Sequence, residues 1–126
     1  MIQAIGKITI YVENQAEAKA FWTEKMGFTV KIEQAMGPGT TWLEVGPSDN
    51  AFTTLVLYDK QSMMKQNPST NVGHPTIMFS TKDIEASHKQ LQDRGVEVGE
   101  LMKFPYGSMF SFNDHEGNKF LLREDK

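Results

Sequence analysis

Ile77-Met78-Phe79-Ser80-Thr81-Lys82-Asp83 restarts, in mid-chain, a pattern already met in Ile8-Thr9-Ile10-Tyr11-Val12-Glu13-Asn14. Each run alternates between two sets of side chains, the period of a strand with one buried face. Each ends on a residue suited to cap a helix: Asn14, with Glu17 three residues on, and Asp83. Behind the first cap, Ala18, Phe21, Trp22 and Met26 fall at helical spacing up to Gly27. Behind the second, Ile84, His88 and Leu91 do so up to Gly95. Three β-rich runs follow each helix, at about 28–35, 40–46 and 52–59, then at about 96–104, 107–113 and 119–124. Turn-forming stretches separate them: Gly37-Pro38-Gly39, Gly46-Pro47-Ser48-Asp49-Asn50, Phe104-Pro105-Tyr106-Gly107 and Asp114-His115-Glu116-Gly117-Asn118. A strand, a helix and three strands, used twice, form an internal repeat, and a repeat of this kind fixes the architecture. The expectation is an α+β fold of two tandem βαβββ modules with mixed sheets. The first module covers about 4–59 and the second about 73–125. Between them, about 60–72 reads as a polar surface linker with one short helical turn at Met63-Met64, or with those two Met as a lid over an apolar opening. Neither module can bury its sheet alone, so residues 1–126 are expected to form a single domain.

Composition narrows the function. The chain has 126 residues, 39% hydrophobic and 23% charged, an ordinary globular balance. Its formal charge of −3 disfavours nucleic acid or an anionic membrane as the main partner. No apolar run approaches the ~18 residues of a membrane span. The absence of Cys excludes a disulfide framework, a thiolate metal site and a Cys nucleophile. No basic stretch followed by an apolar one opens the chain, so a cytoplasmic location is expected. There is no Gly-rich phosphate loop and no Gly-x-Ser-x-Gly elbow.

The two opening strands, Ala20-Phe21-Trp22 with Met26-Gly27-Phe28, Leu91-Gln92-Asp93-Arg94-Gly95-Val96, Pro105-Tyr106-Gly107 and Phe112-Asn113-Asp114-His115-Glu116-Gly117-Asn118 together resemble the vicinal-oxygen-chelate superfamily of glyoxalase, bleomycin-resistance and extradiol-dioxygenase proteins. The resemblance covers nearly the whole chain. It implies curved sheets around a cavity, helices on the outer face, and a homodimer. In metal-dependent members a ligand His opens the first strand of each module and an acidic ligand sits in the last strand. Here those positions hold Lys7, Thr76 (with His74 two residues early), Leu121, and Leu55 or Val56. Protonated Lys has no lone pair, and Leu and Val offer no donor. The expected metal, cofactor and catalytic residues are therefore none. Of the three His, His74 reads as a strand-edge residue, with a displaced metal site of His74 and Glu44 as the alternative. His88 reads as a half-buried helix residue and His115 as an exposed turn residue.

Strand alternation then sorts the cavity face. Ile8, Ile10, Val12, Leu55, Leu57, Ile77, Phe79, Phe120 and Leu122 are expected beneath helices. The expected ligand-binding residues are Lys7, Thr9, Tyr11, Trp42, Glu44, Tyr58, Thr76, Met78, Phe110 and Arg123, with Phe112 beside them. Aromatic bulk with a few placed polar groups is what a small-molecule pocket requires. The same aromatics would also fill a plain core, and Lys7 and Glu44 can simply pair. The expected function is metal-free binding of a small organic ligand, as in the bleomycin-resistance type. The alternatives are a lyase, isomerase or dioxygenase using a displaced metal site or Lys7 or Glu44 as acid/base, and a dimerising domain whose cavity is filled.

Overall fold

The computed structural model describes residues 1–126, which divide into two compact units, Met1–His74 and Pro75–Lys126. The first unit runs β1 (Lys7–Val12), α1 (Gln15–Ala20), a wider turn Phe21–Lys25, β2 (Thr29–Gly37), β3 (Thr40–Gly46), β4 (Thr54–Asp59) and α2 (Lys60–Gln66). The second runs β5 (Met78–Ser80), α3 (Ile84–Asp93), β6 (Met102–Phe104), β7 (Gly107–Asn113) and β8 (Lys119–Asp125). The sheets have the same order, β1-β4-β3-β2 and β5-β8-β7-β6. In each, the module's first strand lies parallel to its last and the other pairs are antiparallel. These are two βαβββ modules of an α+β fold.

The caps anticipated for the crossover helices are in place. Asn14 accepts a hydrogen bond from the Glu17 backbone N–H at 3.0 Å, and Asp83 from that of Ala86 at 3.1 Å. In the first sheet Ile10 lies opposite Leu57, and Ile8 opposite Leu55, itself opposite Val45. Ile10, Leu55, Leu57 and Val45 are buried, as are Ala18, Phe21 and Trp22. These residues form the first core. In the second, Phe79, Phe112 and Phe120 stack at 5.4–6.2 Å between centroids, and Ile84 and Leu91 of α3 are buried.

Three local expectations need correction. The stretch after β4 is a seven-residue helix, α2, rather than a linker with a single turn. Asp59 caps it by accepting from the Ser62 N–H at 2.8 Å, and Lys, Gln and Met are good helix formers even without an apolar stripe. The run 96–104 pairs as a strand only at Met102–Phe104. Before that, Gly99 donates to the Ser111 carbonyl at 2.7 Å and Asn113 to that of Glu97 at 2.9 Å, around one isolated bridge, Val98 to Phe112. The third correction concerns Phe110 and Phe112. The β7–β8 hairpin places Asn113 opposite Lys119, so Phe112 faces Phe120 and Phe110 faces Leu122. Directly opposed residues share a face, and Phe120 and Leu122 belong to the helix side. Phe110 is 0% exposed, with the His88 ring of α3 edge-on at 4.7 Å. Both phenylalanines are core beneath α3, not residues of the opposite face.

Candidate functional site

The face of the first sheet turned away from that core is built around one carboxylate. Parallel pairing sets Lys7 beside Thr54, Thr9 beside Val56 and Tyr11 beside Tyr58, and Glu44 of β3 lies opposite Val56. The carboxylate is only 2% exposed. Its Oε1 accepts from Lys7 Nζ at 2.7 Å and from Thr54 Oγ1 at 2.9 Å, and its Oε2 from Trp42 Nε1 at 2.7 Å. Burial pushes the Glu44 carboxyl up. The hydrogen bonds from Lys7, Trp42 and Thr54, with the Lys7 charge, outweigh that and hold it below its ordinary value. Glu44 is therefore an ionised anchor, and its bonds fix the indole and the ammonium in place. Lys7 remains 52% exposed, so its other N–H bonds are open to further partners.

Next to this anchor runs a row of rings. Tyr11 and Tyr58 meet edge to face at 6.3 Å, and Tyr58 and Trp42 at 6.1 Å. The row crosses β1, β4 and β3. Its central hydroxyl, Tyr58 OH, donates to Gln66 Oε1 of α2 at 3.0 Å, so the helix after β4 closes one end of this face. Lys7, Thr9, Tyr11, Trp42, Glu44 and Tyr58 are thus brought together on one face of the sheet, where Glu44 and Tyr58 are buried, Thr9, Tyr11 and Trp42 are half-buried and Lys7 is exposed. Thr54, Gln66 and Gln15 belong to its framework too. Thr54 follows from alternation; Gln66 and Gln15 carry no sequence signal beyond the possibility of a helix near them.

In the second unit, the equivalent face carries Met78 beside Leu121 and Ser111, and Ser80 beside Arg123, Met109 and Met102. Thr76 is exposed, just ahead of β5. The Arg123 charge is already engaged: its Nε bonds Asp125, and its guanidinium lies 5.3 Å from the Tyr106 ring centroid. Phe110 is not on this face. His115 is half-buried, at 16%, and contacts Glu116 at 3.2 Å, which corrects its expected exposure. Its turn is pinned by buried Asp114, which accepts from the Glu116 and Asn118 backbone N–H groups.

A divalent metal of the family type does not fit these donors. Three or more His, Asp or Glu do not converge anywhere in the chain. The one buried carboxylate on the face, Glu44, has both oxygens committed to N–H and O–H donors, and its nearest charged neighbour is a cation. Two shallow clefts open elsewhere. One, of about 270 Å³, lies beside Gln15, Lys19, Glu33 and Thr41; the other, of about 210 Å³, beside Glu97 and Asn113. Neither is lined by Trp42, Glu44 or Tyr58, and the first reaches this face only through its framework residue Gln15.

The repeated modules and this arrangement define a class. The chain belongs to the Glyoxalase/Bleomycin resistance protein/Dioxygenase superfamily, whose family model matches residues 4–122. The uncharacterized protein YetH of Bacillus subtilis (strain 168) is 42% identical to it over 125 residues, covering 98% of this chain and 100% of that one. The crystal structure of TnmS3, an antibiotic binding protein from Streptomyces sp. CB03234, is similar at a TM-score of 0.83 and 31% identity, covering 99% of this chain and 98% of that one. A superfamily member from Sphaerobacter thermophilus DSM 20745 is similar at a TM-score of 0.82 and 25% identity, with 98% of each chain covered.

Proposed function

We propose that this protein binds a small, flat organic molecule without a metal ion, seating it on the Tyr11–Tyr58–Trp42 row with an acidic or carbonyl oxygen toward Lys7. The observation that carries this reading is the Glu44 anchor. It spends a buried charge on orienting an indole and an ammonium, and leaves the ammonium's remaining donors exposed. Aromatic edges with one placed cation suit a planar, polarisable guest better than a strongly cationic one. The antibiotic binding of TnmS3 supports the same class of role. Thr9 and Glu44 are proposed as further residues of this face, and Thr76, Met78 and Arg123 as ligand-facing residues of the second sheet's own equivalent face. The family-type reaction at a displaced metal site has no donor set in its favour. A cytoplasmic homodimer is proposed with this function. The support for the dimer is the edge strand β2, which exposes Val30, Ile32 and Met36.

The test is a titration with flat aromatic acids, 2-naphthoate first, read by Trp fluorescence and the two indole N–H resonances. Saturable binding is expected, displaced at Trp42 and weakened by Lys7→Met. Lack of any saturable response across such acids overturns the proposal. So does one tightly held divalent ion per chain in freshly purified protein.

A further inference from the structure

We infer that Gln15, the first residue of α1, is the spacer that sets the distance between Trp42 and Tyr58. The inference rests on the reading of the aromatic row as a ligand wall. The β3–β4 ladder is short: it joins only Glu44 to Val56 and Val45 to Leu55. Toward Trp42 and Tyr58 the two strands make no further ladder pair. There a single atom, Gln15 Nε2, donates to the Thr41 carbonyl at 2.9 Å and to the Leu57 carbonyl at 2.8 Å. Each of those carbonyls belongs to the peptide unit that leads directly into a ring-bearing residue, Thr41 into Trp42 and Leu57 into Tyr58. One amide therefore replaces the missing ladder bonds and anchors both peptide planes at once. Two acceptors on one atom fix the orientation of the amide, since only its nitrogen end donates. Gln15 also borders an open cleft, so hydrogen bonds rather than close packing hold it. On the Trp42 side the indole is tied to Glu44, and on the Tyr58 side the hydroxyl is tied to Gln66. With the ring tips fixed in this way, the spacing of the strands beneath them decides how the two touching rings are set against each other, and so the shape of the wall they form. Gln15 touches no ligand; it is a positioning residue.

The experiment compares wild type with Gln15→Met, which keeps the length but removes both donors, and Gln15→Asn, whose shorter arm reaches one carbonyl at a time. The readouts are the indole N–H resonances of Trp42 and Trp22, thermal stability, and the 2-naphthoate dissociation constant. Trp22, fully buried in the helix-side core, reports on the fold. Gln15→Met is expected to move the Trp42 resonance while Trp22 holds, and to weaken 2-naphthoate by roughly tenfold, the order of loss that follows a displaced binding wall. Gln15→Asn is expected to do the same to a smaller extent, and it decides the matter if Gln15→Met does not fold. An unchanged Trp42 resonance in the folded variants overturns the inference. So does a Trp42 shift with wild-type affinity, because the spacing would then not govern binding. If wild type itself fails to bind flat acids, the proposed function falls, and the Trp42 resonance still decides whether Gln15 sets the spacing.

Discussion

Glu44→Gln removes one charge and keeps the shape of the side chain. The carboxylate serves three donors: Lys7 and Thr54 on Oε1, and Trp42 on Oε2. An amide has only one oxygen. With that oxygen toward Lys7 and Thr54, the new NH₂ confronts the Trp42 N–H, donor against donor. With the amide reversed, it confronts the ammonium. A hydrogen bond to a charged group contributes about 1.5–3 kcal/mol when buried, which is the range for the Trp42 contact. Lys7 is half in water, so its part shrinks to about 1 kcal/mol or less. The sum is a destabilisation of roughly 2–4 kcal/mol, or roughly 10 °C in melting temperature for a chain of this size. Urea unfolding at neutral pH, followed by far-ultraviolet circular dichroism, measures it. A loss within about 0.5 kcal/mol, the level of an ordinary surface change, would refute the anchor argument. Acid makes a second reading of the same quantity. The folded carboxyl titrates below its ordinary value of 4.5, so its contribution is complete above that pH. As pH falls below 4.5 the unfolded chain takes up the proton first, and the contribution disappears through the folded value. The stability gap between wild type and Glu44→Gln should therefore narrow in acid and stay constant above it.

Other substitutions test other parts of the structure. Gly107→Ala puts a Cβ 2.5 Å from the Glu124 carbonyl at φ +153° and should cost more than about 2 kcal/mol in chemical denaturation. Gly117→Ala, at φ +83° with nothing within 4 Å, should cost only about 1 kcal/mol. Phe110→Ala should destabilise by about 3–5 kcal/mol, and Phe110→Leu should leave 2-naphthoate affinity at the wild-type level, because the ring lies on the helix side of its sheet. Asp59→Ala should cost about 1 kcal/mol and raise amide hydrogen exchange within α2 more than in β4.

Much of the architecture is written in alternation and caps. Ile8, Ile10 and Val12 against Lys7, Thr9 and Tyr11 state which side of β1 is wet, and Asn14 and Asp83 mark where each crossover helix begins. The face of the first sheet was legible because its odd and even positions differ in polarity. In β7 they differ less: Met109 and Ser111 on one side, Phe110 and Phe112 on the other, and aromatic rings suit a pocket as well as a core. The clue that sorts them is pairwise. A turn over Asp114–Asn118 that starts with Asn113 opposite Lys119 must set Phe112 against Phe120. The α2 helix was hidden because an exposed helix needs no apolar stripe, and its stop at Asn67-Pro68 reads equally as loop. Gln15 was hidden for a deeper reason: its partners are backbone carbonyls, which every residue carries and no sequence pattern singles out.

The strand order has a consequence for how the chain is made. In each sheet the strand synthesised last, β4 or β8, sits in the interior between the module's first strand and its third. On the ribosome, β5 therefore waits with an unpaired flank until Lys119–Asp125 emerges, whereas the first sheet can close while the second is still being translated. A premature stop at or just before Lys119 would remove a central plank of the second sheet. It would leave a nascent second sheet with two open borders, which is a substrate for chaperones and proteases rather than a slightly shortened protein.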